Sequence, residues 1–168
     1  IEYLAEISLV KSVYVDETRP YMQGSRLTSY ELTKLNINHE IVVEGASAFI
    51  MSQDKVDAIF VGADRIAQNG DTANKIGTFT LAIVAKNFGI PFYVVAPLST
   101  FDLKTIKGKD IEIEFRPEEE VLSFNGQRIA PKLARALNPS FDVTPHEFIS
   151  GIICEKGVLK PPYNESIT

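Results

Sequence analysis

The stretch Ala58-Ile59-Phe60-Val61-Gly62-Ala63-Asp64-Arg65-Ile66, with Asn69-Gly70-Asp71-Thr72-Ala73-Asn74-Lys75-Ile76-Gly77-Thr78 close behind it, decides how the chain is read. Ala58 to Val61 is a short apolar run that reads as a buried strand. It stops at Gly62 and carries a lone carboxylate, Asp64, into a loop rich in Gly, Asn, Asp and Thr. That loop is expected to run straight into a helix over residues 74–88. There Ile76, Phe79, Thr80, Ile83, Val84 and Phe88 recur near the 3.6-residue period, and Gly89 is the stop signal. Asp71 or Thr72 is the expected N-cap, which puts Asn74 and Lys75 in the first helical turn. Ligands of open α/β sheets bind at the carboxyl ends of strands. A helix N-terminus offers free N–H groups and a positive dipole end to an anion. The stretch therefore reads as an acid or base placed beside a phosphate-type ligand.

Outward from this stretch, strands and helices alternate. Ser12 to Val15, Ile41 to Val43, Ala58 to Val61 and Pro91 to Ala96 are apolar strand-like runs. Arg26 to Leu35, Ala46 to Gln53 and Asn74 to Phe88 suit helices between them. Such alternation predicts an α/β fold, an open parallel sheet with helices on both faces and right-handed crossovers. Further on, Asp110 to Phe115 alternates apolar and acidic residues and reads as an edge strand or extended arm. Glu118 to Leu122 reads as a short helix with a solvated acidic first turn. Phe148 to Ile153 reads as a last strand, and the tail from Lys160 shows no periodicity. No repeat or interdomain linker interrupts the chain, and all 168 residues read as a single domain.

Composition bounds the function classes. An apolar fraction of 45% supports an ordinary globular core. A formal net charge of −5 argues against nucleic-acid binding, which needs a basic surface. No apolar run reaches the about 18 residues that would span a membrane. The one cysteine, Cys154, excludes an intrachain disulfide and fits a reducing compartment. It lies in the apolar run Gly151-Ile152-Ile153-Cys154 and reads as a strand residue rather than a nucleophile. His39 and His146 are far apart, and no Cys/His spacing resembles a zinc site.

Taken alone, each candidate site residue keeps two readings. Asp64 is either a turn residue or, if burial beside the strand raises its pKa, a proton donor. Lys75 is either a solvated surface cation or an anion ligand, since a lysine in a first helical turn opposes the helix dipole. Arg19 and Arg26 are positioned to pair with Asp16 and Glu17. Gln23, next to Gly24, offers an amide to a ligand in the loop after the first strand.

The whole pattern resembles the C-terminal half of the methylthioribose-1-phosphate isomerase family. The resemblance rests on Asp16-Glu17-Thr18-Arg19-Pro20, Gln23-Gly24-Ser25-Arg26-Leu27-Thr28, Val61 to Ile66, Asn69 to Thr78, Pro91-Phe92-Tyr93-Val94-Val95-Ala96-Pro97 and Phe141-Asp142-Val143-Thr144-Pro145. The long central motif is shared with ribose-1,5-bisphosphate isomerase and with the regulatory subunits of translation initiation factor 2B. Asn74-Lys75 and the closing Ile152-Ile153-Cys154-Glu155-Lys156-Gly157 favour the isomerase branch.

The resemblance implies a Rossmann-like C-terminal domain and a cytoplasmic homodimer. It implies isomerisation of 5-methylthioribose 1-phosphate to the ribulose 1-phosphate in methionine salvage, with no metal or organic cofactor. Asp64 matches the family's catalytic acid/base. Gln23, Asn74 and Lys75 match residues that hold the sugar phosphate, chiefly around its phosphate. The family's catalytic cysteine and further phosphate-binding arginines belong to a region upstream, beside a helical N-terminal domain. Ile1 to Glu6 reads as the end of a helix that starts upstream. The chain is thus expected to hold half of an active site and to need that upstream part for activity.

Overall fold

The computed structural model describes residues 1–167. In chain order its elements are α1 (Glu2–Glu6), β1 (Val13–Asp16), α2 (Ser29–Lys34), β2 (His39–Val42), α3 (Ser47–Met51), β3 (Ile59–Val61), β4 (Arg65–Ala67), β5 (Thr72–Lys75), α4 (Thr78–Asn87), β6 (Phe92–Val95), β7 (Phe101–Asp102), α5 (Glu119–Leu122), β8 (Ser123–Phe124), β9 (Gln127–Arg128), β10 (Phe141–Thr144), β11 (Gly151–Cys154), β12 (Gly157–Leu159) and α6 (Tyr163–Ser166). They form an α/β fold with mixed sheets, divided between two units: Ile1–Ser47 with Glu118–Ala136, and Ala48–Pro117 with Leu137 onward.

In the first unit β1 and β2 pair in parallel, from Val13 opposite His39 to Asp16 opposite Val42. Val15, Leu32 and Ile37 form its small core. The expected helix over 26–35 is built in two pieces, a π turn over Gly24–Thr28 followed by α2. The turn folds back onto the end of β1 so tightly that a Cβ at Gly24 would lie 1.7 Å from the Asp16 carbonyl oxygen. Only glycine allows that approach.

The second unit carries two four-stranded sheets. In one, ordered β12-β11-β6-β3, strands β3, β6 and β11 are parallel and β12 is antiparallel. Ile59, Phe92, Val94 and Ile152 from these strands pack with Ala82 and Ala85 of α4 in the main core. The other sheet, ordered β10-β5-β4-β7, is antiparallel except for its β4–β7 edge. The parallel pairing expected from strand–helix alternation therefore holds for β3, β6 and β11 here and for β1 and β2 in the first unit, but not as one continuous sheet. β4, β5 and β10 mix polar with apolar residues and lack the continuous apolar run of a parallel strand.

Several local expectations are corrected. Thr72–Lys75 is strand β5, not the start of a helix. Thr72 and Ala73 are buried between β4 and β10, and ladder pairing on both sides overrides the helical pattern. The helix begins at Thr78, after Gly77 at φ +100°, a conformation no helix interior contains. Its buried face is Thr78, Ala82 and Ala85, while Ile83 and Phe88 are exposed. Alanines on that face let the helix lie close to the sheet. Gly89, at φ +67°, does end the helix: the Ile90 N–H donates back to the Ala85 carbonyl at 2.9 Å. Asp110 closes a 3-10 turn, and residues 111–115 form the expected extended arm, with one isolated bridge from Phe115 to Pro139. The tail is not featureless: α6 buries Tyr163, whose hydroxyl donates to the Ile149 carbonyl at 3.0 Å.

Candidate functional site

The carboxyl end of β3 is where the site assembles within the second unit. Val61 ends the strand and Gly62-Ala63 turns the chain into β4. The Asp64 N–H donates to the Ala73 carbonyl at 2.8 Å. β4 and β5 pair with Arg65 opposite Ala73 and Ile66 opposite Thr72, and Asp64 lies just before that ladder begins. Asn74 is in turn opposite Asp142 on β10. Directly opposite residues share a sheet face, so Asn74 and Asp142 stand side by side across β5 and β10.

Asn74 is held in place. Its Nδ2 donates to Thr78 Oγ1 at 3.0 Å, and that hydroxyl donates to the Lys75 carbonyl at 2.6 Å. Its Oδ1 faces Gly62, where a Cβ would lie 3.9 Å away. Lys75, the next residue in the strand, points to the other face. Its ammonium stands 4.7 Å from the centre of the Phe141 ring, a cation–π contact that orients it without neutralising it. Asn74 and Lys75 are thus divided between the two faces at a strand end rather than side by side in a helical turn, which corrects their expected placement.

The expected anion site at the helix N-terminus is already filled by the protein. The Gly77 N–H donates to Asp142 Oδ2 at 2.8 Å and the Phe79 N–H to Asp142 Oδ1 at 3.0 Å. Burial pushes the Asp142 carboxyl above its ordinary range, against the lowering effect of these bonds. Neither Asp71 nor Thr72 caps the helix.

Asp71 instead ties three segments together. Oδ2 accepts from Asn69 Nδ2 at 2.8 Å and from the Gly108 N–H at 2.9 Å. Oδ1 accepts from the His146 N–H at 2.9 Å and lies 2.8 Å from His146 Nδ1. Burial alone would raise this carboxyl, but the bonds from Asn69, His146 and Gly108 outweigh it and hold it below its ordinary value.

Asp64 is exposed, so the burial expected to make it a proton donor is not supplied by the described residues. The pairing expected for Arg19 and Arg26 is also corrected. The Arg19 N–H donates to Glu44 Oε2 at 3.0 Å and its guanidinium to the Val121 carbonyl at 3.3 Å, while Arg26 reaches the Tyr21 carbonyl at 3.5 Å. Asp16 accepts from Ser47 Oγ at 2.9 Å. Burial raises the Asp16 carboxyl, the Ser47 bond lowers it and Glu44 raises it, for a net rise.

Gln23 belongs to the first unit. Its Oε1 is buried without a hydrogen-bond partner, in a loop where Thr18 and Met22 take φ of +65° and +59°. Unpaired buried acceptors and left-handed non-glycine residues are both costly and gather at functional sites. Among the described residues no group of three or more His, Cys, Asp and Glu could hold a metal ion. None of their helices is long and apolar enough to cross a membrane. Sequence reasoning missed Asp142, Phe141 and Thr78. For Asp142 and Phe141 the importance comes from pairing across 60 or more residues, 63 for the Phe79–Asp142 bond, which no local pattern reveals; Thr78 acts locally, on Asn74 and Lys75.

Comparisons with known proteins agree with this arrangement. Residues 3–161 match the model of the Initiation factor 2 subunit family. Methylthioribose-1-phosphate isomerase 2 of Pseudothermotoga lettingae is 53% identical over 99% of this chain and 48% of its own length. Methylthioribose-1-phosphate isomerase of Thermus thermophilus is 51% identical over 94% of this chain and 48% of its own. The crystal structure of 5-methylthioribose 1-phosphate isomerase from Pyrococcus horikoshii OT3 is similar with a TM-score of 0.95 and 48% identity, over 98% of this chain and 46% of that one. The structure titled translation initiation factor eIF-2B, subunit delta, from A. fulgidus follows at 0.89 and 43%, over 93% and 45%. The chain spans about half the length of the curated relatives it matches. With its match running through nearly all of both units, the chain belongs to the Initiation factor 2 subunit family.

Proposed function

We propose that the protein carrying this chain is an aldose–ketose isomerase that converts 5-methylthioribose 1-phosphate to 5-methylthioribulose 1-phosphate, and that this chain is part of its C-terminal, Rossmann-like domain. The observation that carries the reading is the extent of likeness to proteins of that name. It covers 99% of the chain, the Gly62–Thr78 site included. The three parallel strands β3, β6 and β11, with Asp64 just past the carboxyl end of β3, support a Rossmann-like placement of the ligand.

The 1-phosphate locks the substrate as a furanose, so simple opening to a free aldehyde is blocked. In this reading Asp64 donates a proton to the ring oxygen as the C1–O bond breaks. Hydrogen then passes from C2 to C1 while the C2 hydroxyl gives up its proton to a base, leaving a carbonyl at C2 and balancing the proton gained at the ring oxygen. The bound sugar covers Asp64 and supplies the desolvation that the exposed side chain lacks. Lys75 and Asn74 hold the phosphate beyond the end of β5, where the lysine's four-carbon stem reaches round the strand end. Gln23 is assigned to the same substrate by the family pattern, and its unpartnered Oε1 supports that role. The catalytic cysteine of this reading is not Cys154 but belongs to a part of the intact protein outside this chain. No metal or organic cofactor enters it.

The test is turnover by the intact protein. Ketose formation from 5-methylthioribose 1-phosphate, with ribose 1,5-bisphosphate a much poorer substrate, is the expected result. Preference for the bisphosphate would move the protein to the neighbouring isomerase class. No turnover of either would favour the other reading, a non-catalytic regulatory subunit, which the likeness to the A. fulgidus protein supports.

A further inference from the structure

The residue paired with Asn74 across β5 and β10 is one that the isomerase reading does not use. Asp142 is opposite Asn74, and its two oxygens hold the N–H groups of Gly77 and Phe79 on either side of the strand-to-helix turn. Thr78, between those two residues, receives the Asn74 amide and bonds the Lys75 carbonyl. Phe141, the neighbour of Asp142, is opposite Lys75 and lies under its ammonium. Two consecutive residues of β10 thus govern two consecutive residues of β5, one on each face. The turn they brace passes through Gly77 at φ +100° and contains no regular structure of its own over Ile76 and Gly77.

A carboxylate is a costly choice for this task. A serine or asparagine caps a helix start without burying a charge. What the charge adds is a fixed anion on the helix N-terminus, which satisfies the dipole. That anion repels a second one there and leaves Lys75 and Asn74 as the cationic and amide groups open to a phosphate.

We propose that Asp142 is a positioning residue for the substrate phosphate: by clamping the Gly77 and Phe79 N–H groups it sets Asn74 and Lys75 and keeps the phosphate off the helix end. The inference rests on the isomerase reading above. It concerns ground-state grip on the phosphate, so its loss weakens binding rather than chemistry.

The experiment compares D142A and D142N with the wild type in the intact protein, at a temperature where circular dichroism shows all three folded. KM for 5-methylthioribose 1-phosphate is expected to rise at least about tenfold in D142A, and less in D142N, which keeps one acceptor oxygen; kcat stays within about threefold. A lowered melting temperature with KM unchanged in both variants would make Asp142 a structural cap and overturn the proposal. The wild type gives a readout that needs no variant. Saturating substrate is expected to raise hydrogen-exchange protection of the Gly77 and Phe79 amides at least about tenfold, because a held phosphate tightens the clamped turn. Unchanged protection would also overturn it. A wild type that turns over no substrate removes the isomerase reading and this inference together, and that result is distinct from a variant that keeps the wild-type KM.

Discussion

Asp71 and Asp142 are both partly buried carboxylates that accept backbone N–H groups, yet their environments push them in opposite directions. For Asp71, four donor contacts outweigh burial and the carboxyl is lowered; for Asp142, burial outweighs three, from the backbone of Gly77, Phe79 and Asp142 itself. The sign of the stability effect follows. A carboxyl whose folded value is lowered contributes stability that is present above its unfolded value, near 3.8, and is lost as pH falls through the folded value. A D71N variant would turn an amide N–H2 toward the Asn69 and Gly108 donors and leave them unpaired, at a cost of about 1–3 kcal/mol. The melting temperature of D71N is therefore expected to lie below that of the wild type from pH 7 to 5. The gap should close as pH falls below about 4, with the Asp16 and Asp142 contributions cancelling in the difference. A gap that widens on acidification would contradict the assignment.

Gly77 is the residue on which the strand–turn–helix unit of β5 and α4 depends. Its φ of +100° is open to glycine and strained for other residues, and the Gly77 N–H is one of the two held by Asp142. G77A is expected to destabilise the fold by about 1–2 kcal/mol, read by chemical denaturation. A neutral substitution would mean that the turn relaxes without cost. This unit also marks how far sequence reasoning reached. The strand before Gly62, the carboxylate after it and the stop at Gly89 were legible because each is a local signal: an apolar run, a lone acid, a helix-ending glycine. The identity of Thr72–Lys75 was not. Its residues carry no strand pattern and join a helical one. Only the β4 and β10 partners, the latter about 70 residues downstream, make it a strand. The same blindness hid Tyr163. A single aromatic that fills the space beside Gly70, where a Cβ would lie 2.4 Å from its ring, has no period to detect. Among the site residues, Asp64 kept its place at the strand end, and Asn74 and Lys75 kept their proximity to it but exchanged a helical turn for two faces of a strand.

At the scale of the whole molecule, the chain spans about half the length of its curated relatives. Gln23 belongs to one of its two units, and Asp64, Asn74 and Lys75 belong to the other. The proposed chemistry depends on Asp64, so the most direct measurement is steady-state turnover of 5-methylthioribose 1-phosphate by the intact protein and by its D64N variant. Loss of a general acid of this kind is expected to lower kcat by about 10²-fold or more while KM stays within about threefold of the wild type. Wild-type-like turnover in D64N would contradict the account at its centre.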